Sequence, residues 1–327
     1  MSHSSFRITS PGSLIGAIPA VLGFVPAKSL VLVTVEKGRL GAVLRADLSA
    51  DLIDHADRLA GAAASAGAES VIIVIVDDDG ALCPMCKDDH GRLCEAIGGA
   101  LAGHEISVSA AHVVDVIGVG GTWHRIDGVA DSGPVEDPQS SPLAAAAVLE
   151  GRRLHRRRED LQDLIAVTDP ARTAALADLI AAANGKRDTE LRGDANGRRC
   201  RDLTVTLASA AGIAAGTELD DTTIADLACA MTDGAVRDML YALVVGEESG
   251  ALENLWAELS RTLPDPWRAE SLALAAFWAY ARGDGPLAGI ALEAALAVNP
   301  AHRMARLLDA ALQAGMHPTK IRELAVR

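Results

Sequence analysis

The stretch from Gly128 to Pro142 constrains the fold more than any other, because Gly128, Gly133, Pro134, Pro138 and Pro142 stand there among Asp and Ser and no apolar periodicity survives it. Proline removes a backbone donor and glycine loosens the chain, so the stretch reads as a boundary loop. On its N-terminal side, strand-like and helix-like patterns alternate; on its C-terminal side nearly every apolar pattern has helical spacing. The expected organisation is an α/β domain with a mixed sheet over 1–132, a linker over 133–142 and an all-α helical domain over 143–327. A chain of 327 residues is long enough for two such cores.

Within the first half, Leu30 to Val35 and Leu40 to Leu48 read as a hairpin joined by Glu36-Lys37-Gly38-Arg39. Asp51 to Ala66 reads as a helix, and Val71 to Val76 as a strand apolar enough to be buried on both faces. A helix over Pro84 to Ala102, a strand over Val108 to Val119 and a short strand over Trp123 to Ile126 follow, giving the order β-β-α-β-α-β-β. In the second half, nine helices are expected, the first over Leu143 to Arg158. Ser271 to Pro300 has the helix, Gly-Asp-Gly turn, helix and Asn-Pro order of a tetratricopeptide unit, with Ala288, Leu292 and Ala295 in place. An ordinary helical hairpin packed in a bundle explains the same pattern.

Leu14 to Val25 has the length of a signal-peptide core, yet Gly16, Pro19 and Gly23 interrupt it and only Arg7 precedes it as a basic residue. No apolar run approaches the ~20 residues that span a bilayer, so a cytoplasmic location without membrane is expected. A formal net charge of −14 disfavours nonspecific binding to nucleic acid.

Cys83, Cys86, His90 and Cys94 form a C-x2-C-x3-H-x3-C cluster. Zinc or iron would use four such thiolate and imidazole ligands, and Cys86, His90 and Cys94 would share one helical face. A strand, an acidic turn, C-P-x-C and a helix also match a thiol-redox arrangement, in which a helix N-terminus lowers the first thiol's pKa. The third reading treats the cysteines as small apolar residues of an amphipathic helix. Asp77, Asp78 and Asp79, at the expected carboxyl edge of the sheet, are either a Mg²⁺-holding turn or a solvated one. Arg152, Arg153, Arg156, Arg157 and Arg158 read as a basic helix face that grips an acidic partner or pairs with its own acidic neighbours. No nucleophile elbow, Walker loop, H-E-x-x-H or Ser-His-Asp set is present in the sequence.

Several segments together resemble the actinobacterial domain of unknown function 4192 family. They are Ile8-Thr9-Ser10-Pro11 with Leu14, Ile18-Pro19, Leu22 to Pro26, Ser29 to Val33, Gly41, Arg45-Ala46-Asp47-Leu48, Trp123 and Ser141-Pro142-Leu143-Ala144. To these is added the Leu272 to Asp309 block, with Trp278, Gly283-Asp284-Gly285, Ala291-Leu292-Glu293 and Leu307-Leu308-Asp309. The resemblance implies an α/β half followed by helices and carries no assigned activity, substrate or catalytic residue. The expected function is therefore that of a non-enzymatic interaction or regulatory protein, meeting a protein partner or a second copy through the helical half, with Trp256, Trp267, Trp278 and the arginine run on its surface. The alternative is a metal-binding or thiol-redox sensor or enzyme built on Cys83 to Cys94, with zinc as its cofactor.

Overall fold

A computed structural model describes residues 10–149, 154–190, 195–246 and 249–325. The chain divides into two compact units, one formed by Met1–Asp160 with Gln313–Met316 and the other by Leu161–Leu312 with His317–Arg327. The stretch expected as a linker lies inside the first unit.

The first unit opens with helix α1 (Pro11–Leu22), which the sequence order above omits. Ser10 caps it reciprocally with Ser13, Pro11 sits in its first turn, and left-handed Gly23 (φ 76°) ends it by donating to the Pro19 carbonyl. Strands β1 (Ser29–Glu36) and β2 (Arg39–Asp47) follow as a hairpin. Its two turn residues, Lys37 (φ 50°) and Gly38 (φ 72°), are both left-handed, as the twist of a two-residue hairpin requires. Then come α2 (Ala56–Ser65), β3 (Ser70–Val76), α3 (Pro84–Ala102), β4 (Ser107–Val114), β5 (Thr122–Arg125), β6 (Ser132–Pro134) and α4 (Pro142–Leu149).

The sheet order is β2-β1-β3-β4-β5-β6. Only β3 and β4 run parallel, because α3 carries the chain back between them; all other neighbours are antiparallel. The sheet is thus mixed, as expected. Leu30, Leu32, Val71, Ile73, Ile75, Ala111 and Val113 bury one face against Leu52, Ala56, Ala60, Leu93, Ile97 and Leu101. Val31, Val33, Val74, Val76 and Val114, on the alternate positions, are buried as well. Continuous apolar strands at β1 and β3 are the sequence form of this two-sided burial. Gly12 of α1 lies so close to β6 that a Cβ there would stand 2.4 Å from the Pro134 carbonyl oxygen, and Trp123 donates to that same oxygen.

Every regular element among the described residues of the second unit is a helix. After α5 (Arg158–Gln162) come α6 (Pro170–Glu190), α7 (Ala195–Ala214), α8 (Asp221–Thr232), α9 (Gly234–Ala242), α10 (Ser249–Thr262), α11 (Arg268–Arg282), α12 (Gly285–Val298), α13 (Arg303–Gln313) and α14 (Pro318–Ala325). Helix α11 is central, burying 12 of its 15 residues, as a helix apolar on all sides must. It turns into α12 through left-handed Gly283 and the Asp284 cap. Among the described residues no helix is long and apolar enough to cross a membrane.

Candidate functional site

The carboxyl ends of parallel strands β3 and β4 are where an α/β sheet offers a crevice, and the chemistry-bearing residues of the first unit gather there. The Asp77 N–H donates to the Val114 carbonyl, extending the β3–β4 ladder by one residue. Its side chain turns inward and is 9% exposed. One carboxylate oxygen meets Lys28 Nζ at 2.6 Å and the other meets His90 Nε2 at 2.9 Å. Gly80 makes this possible, since a Cβ there would stand 1.9 Å from Asp77 Oδ2. Burial pushes the Asp77 carboxyl up, but bonds from Lys28, the Gly80 N–H and His90 outweigh it and hold the group below its ordinary range.

Lys28, left-handed at φ 44° just before β1, also lies 3.0 Å from Asp78 and 2.7 Å from Asp79. The hydrogen bond from Lys28 also lowers the Asp78 carboxyl. The acidic turn therefore converges on an ammonium of this same chain, at the point where a divalent cation would have to sit.

The turn continues with the Ala81 N–H donating to the Asp77 carbonyl and the Cys83 N–H to that of Gly80. This delivers Cys83 to the N-cap of α3, with Pro84 in the first turn and Cys86 at the third helical position. No side-chain hydrogen bond of ordinary cap geometry reaches the Cys83 sulfur. The nearby backbone N–H of Cys86, the Cys86 thiol and the Met85 N–H still draw its thiol below the ordinary range. Cys86 shifts the opposite way, raised first by its bond to Cys83 and then by burial and neighbouring negative charge. Both thiols are partly exposed and unbridged, and the neighbouring Leu82 and Met85 are 80% and 82% exposed.

The structure does not assemble the four-ligand cluster. His90 is turned to Asp77, while Cys94 packs against the hydrophobic core, where burial pushes its thiol up to about 12. Among the described residues no group of three or more His, Cys, Asp or Glu is placed to hold a metal ion. Cys83 and Cys86 are left as a pair.

The partner surface expected from sequence is also redistributed. Arg152 and Arg153 lie outside the described residues. Of the expected helix over Leu143 to Arg158, α4 covers Leu143 to Leu149, while His155 pairs with Phe24, its N–H donating to Gly23 and its carbonyl accepting from Val25. The N–H groups of Arg156 and Arg157 both donate to Asp160 Oδ2, and Arg158 begins α5. Trp278 is buried, packed edge-on against Trp256 at 5.7 Å between ring centroids; Trp256 is fully buried and Trp267 half-buried. Two of the three indoles are therefore core.

Sequence reasoning missed Lys28, 49 residues from Asp77, because no local pattern marks it. It also missed His112 and His124. His112, on β4, is buried edge-on to Trp123 and carries an unpartnered Nδ1; burial, then Arg125, lowers its pKa. Burial and then the neighbouring His90 lower that of His124 on β5.

The fold and site define a two-unit protein with a mixed α/β sheet, a helical unit and a cysteine pair at a helix N-terminus by the carboxyl edge of the sheet. The family model described as Domain of unknown function (DUF4192) matches residues 11–319, and the chain belongs to that family. Neither the curated proteins nor the solved structures yield a match to it.

Proposed function

We propose that the protein is a thiol-disulfide regulator in which Cys83 and Cys86 interconvert between a dithiol and an intramolecular disulfide. The observation that carries this reading is the placement of Cys83 at the N-cap of α3 with Cys86 one turn on, both partly exposed. Backbone N–H groups there stabilise a Cys83 thiolate, the attacking species of thiol-disulfide exchange. The chemistry is balanced by a low-molecular-weight disulfide. Cys83 attacks one of its sulfurs and releases a thiolate; Cys86 then attacks Cys83 and releases the second.

The reading keeps a regulatory rather than a metabolic role, with the α11–α12 hairpin taken as a tetratricopeptide-like element through which the helical unit meets a protein partner or a second copy. It takes the cytoplasm as the working compartment and an actinobacterial distribution for the family, as the sequence resemblance implies. Five cysteines, three of them clustered, in a chain of this length suit reduced thiols of a reducing compartment.

The test is equilibration in glutathione buffers spanning about −300 to −120 mV, acid trapping and mass mapping. A Cys83–Cys86 disulfide that titrates within the range and vanishes in Cys83→Ser is the expected result. Two thiols that stay reduced throughout would overturn the reading.

A further inference from the structure

The Asp77–His90 pair joins the end of β3 to α3, the helix whose first turn carries the dithiol, and is fixed by geometry that a solvated acidic turn does not need. His90 is 5% exposed, and its Nε2 meets a carboxylate that is itself buried and held by Lys28 on its other oxygen. His90 stands four residues beyond Cys86 on α3, so the two share a helical face. Helical side chains lean toward the N-terminus over the turn before them, which aims the imidazole at the turn carrying Cys86. A carboxylate on Nε2 fixes the tautomer that bears its proton there, leaving Nδ1 as the acceptor.

We propose that His90, oriented by Asp77, takes the proton of the Cys86 thiol when Cys86 attacks the mixed disulfide on Cys83, and returns it to the departing thiolate. The proposal rests on the thiol-disulfide reading above and assigns His90 as its general base and Asp77 as a positioning residue. The step balances: the Cys86 S–H proton moves to Nδ1, the Cys86 sulfur bonds to the Cys83 sulfur, the Cys83–SR bond breaks, and RS⁻ leaves as RSH with that proton.

The asymmetry of the two thiols explains why only one step needs help. Cys83 lies below the ordinary thiol range and attacks unaided; Cys86 loses the Cys83 bond that most raises it once Cys83 is held in the mixed disulfide, but burial and the Asp77 and Asp89 carboxylates still raise it, so its attack gains from a base. The charged and titratable groups around the imidazole are Asp77 on its Nε2, Lys28 on the other oxygen of that carboxylate, and His124 on β5, whose pKa His90 and Lys87 both lower; Cys86 stands one turn before His90 on α3.

The experiment follows the full chain reacting with dithiobis(nitrobenzoate) in a Cys200→Ser background, since Cys200 is exposed. Cys83 attack releases the first coloured thiolate and Cys86 attack the second. In His90→Asn the first release should keep its rate, while near pH 7 the second slows by about 10- to 100-fold, the range of general base catalysis. The gap should close at high pH, where Cys86 ionises by itself. Asp77→Asn, close to isosteric, should give a smaller loss in the same step. Second releases at the wild-type rate in both variants at every pH overturn the proposal and leave the disulfide reading standing. The wild-type profile decides even where a variant fails to fold: a second release tracking lone-thiol ionisation, tenfold per pH unit throughout, overturns the base. If the wild type gives no second release, both readings fall.

Discussion

Replacing Gly80 by alanine tests the geometry of the site without touching any of its functional groups. Gly80 is not left-handed, so alanine suits its backbone, but the new Cβ would stand 1.9 Å from Asp77 Oδ2 and 2.7 Å from its Cγ. The carboxylate is the movable party and must swing away, breaking its bond to His90. Hydrogen bonds to charged groups are worth about 1.5–3 kcal/mol, and a buried partner left unsatisfied costs a similar amount. Alanine recovers about 0.5 kcal/mol through the unfolded chain, and the Lys28 contacts, open to solvent, add little. Gly80→Ala should therefore cost about 2 kcal/mol, a fall in Tm of roughly 4–8 °C for a unit of this size. Urea unfolding of a double-mutant cycle isolates the cause. In an Asp77→Ala background the clash partner is gone, so adding Gly80→Ala should be neutral within about 0.5 kcal/mol. A neutral single variant, or costs that simply add in the double, would refute the inward position of Asp77 and with it the orientation of His90.

Two further outcomes follow from the same electrostatics. Brief alkylation with iodoacetamide at neutral pH should modify Cys83 ahead of Cys86 and spare Cys94, whose thiol burial holds at about 12, until the protein unfolds; mass mapping that finds Cys94 labelled as fast as Cys83 contradicts its inward packing. Asp127, held near 2 by Arg125 first and by the Ala111 and Val129 N–H groups, has a folded-state pKa below its unfolded value. Its stabilisation is complete above about pH 4 and is lost as pH falls toward 2, an acid limb of about 1 kcal/mol after solvent screening. Urea midpoints across that window should show a shallower limb in Asp127→Asn, and an unchanged limb would count against the Arg125 pairing.

The elements legible in the sequence are those whose cause is local. Lys37-Gly38 supplies the two left-handed residues a tight hairpin needs, and Val71 to Val76 can hardly be anything but a central strand. Helix α1 was obscured because Gly16, Pro19 and Gly23 break its pattern, although Gly23 is in fact its C-cap. The segment around the arginine run shows tertiary structure overriding a local helical pattern. His155 pairs with Phe24, more than a hundred residues earlier in the chain, and Asp160 accepts from the backbone of Arg156 and Arg157. β6 carries glycine and proline, which mark a loop everywhere except at a sheet edge, and Ser132–Pro134 is such an edge.

The site divides along the same line. C-P-x-C following an acidic turn is a local pattern, and the sequence suffices to place Cys83 at a helix start. The roles of its neighbours depend on what lies across the fold. His90 reads as a fourth metal ligand while only its spacing to the cysteines is visible, and becomes a partner of Asp77 once β3 and α3 pack together. Asp77 reads as one of three equivalent carboxylates, yet it alone is buried, because Gly80 leaves room for it and Lys28, from the start of the neighbouring antiparallel strand, balances its charge. One turn of three like residues thus holds one carboxylate able to orient an imidazole and two that mainly hold the lysine. That separation of roles arises from antiparallel β1–β3 pairing, which sets Ser29 opposite Val76 and so brings Lys28 beside Asp77.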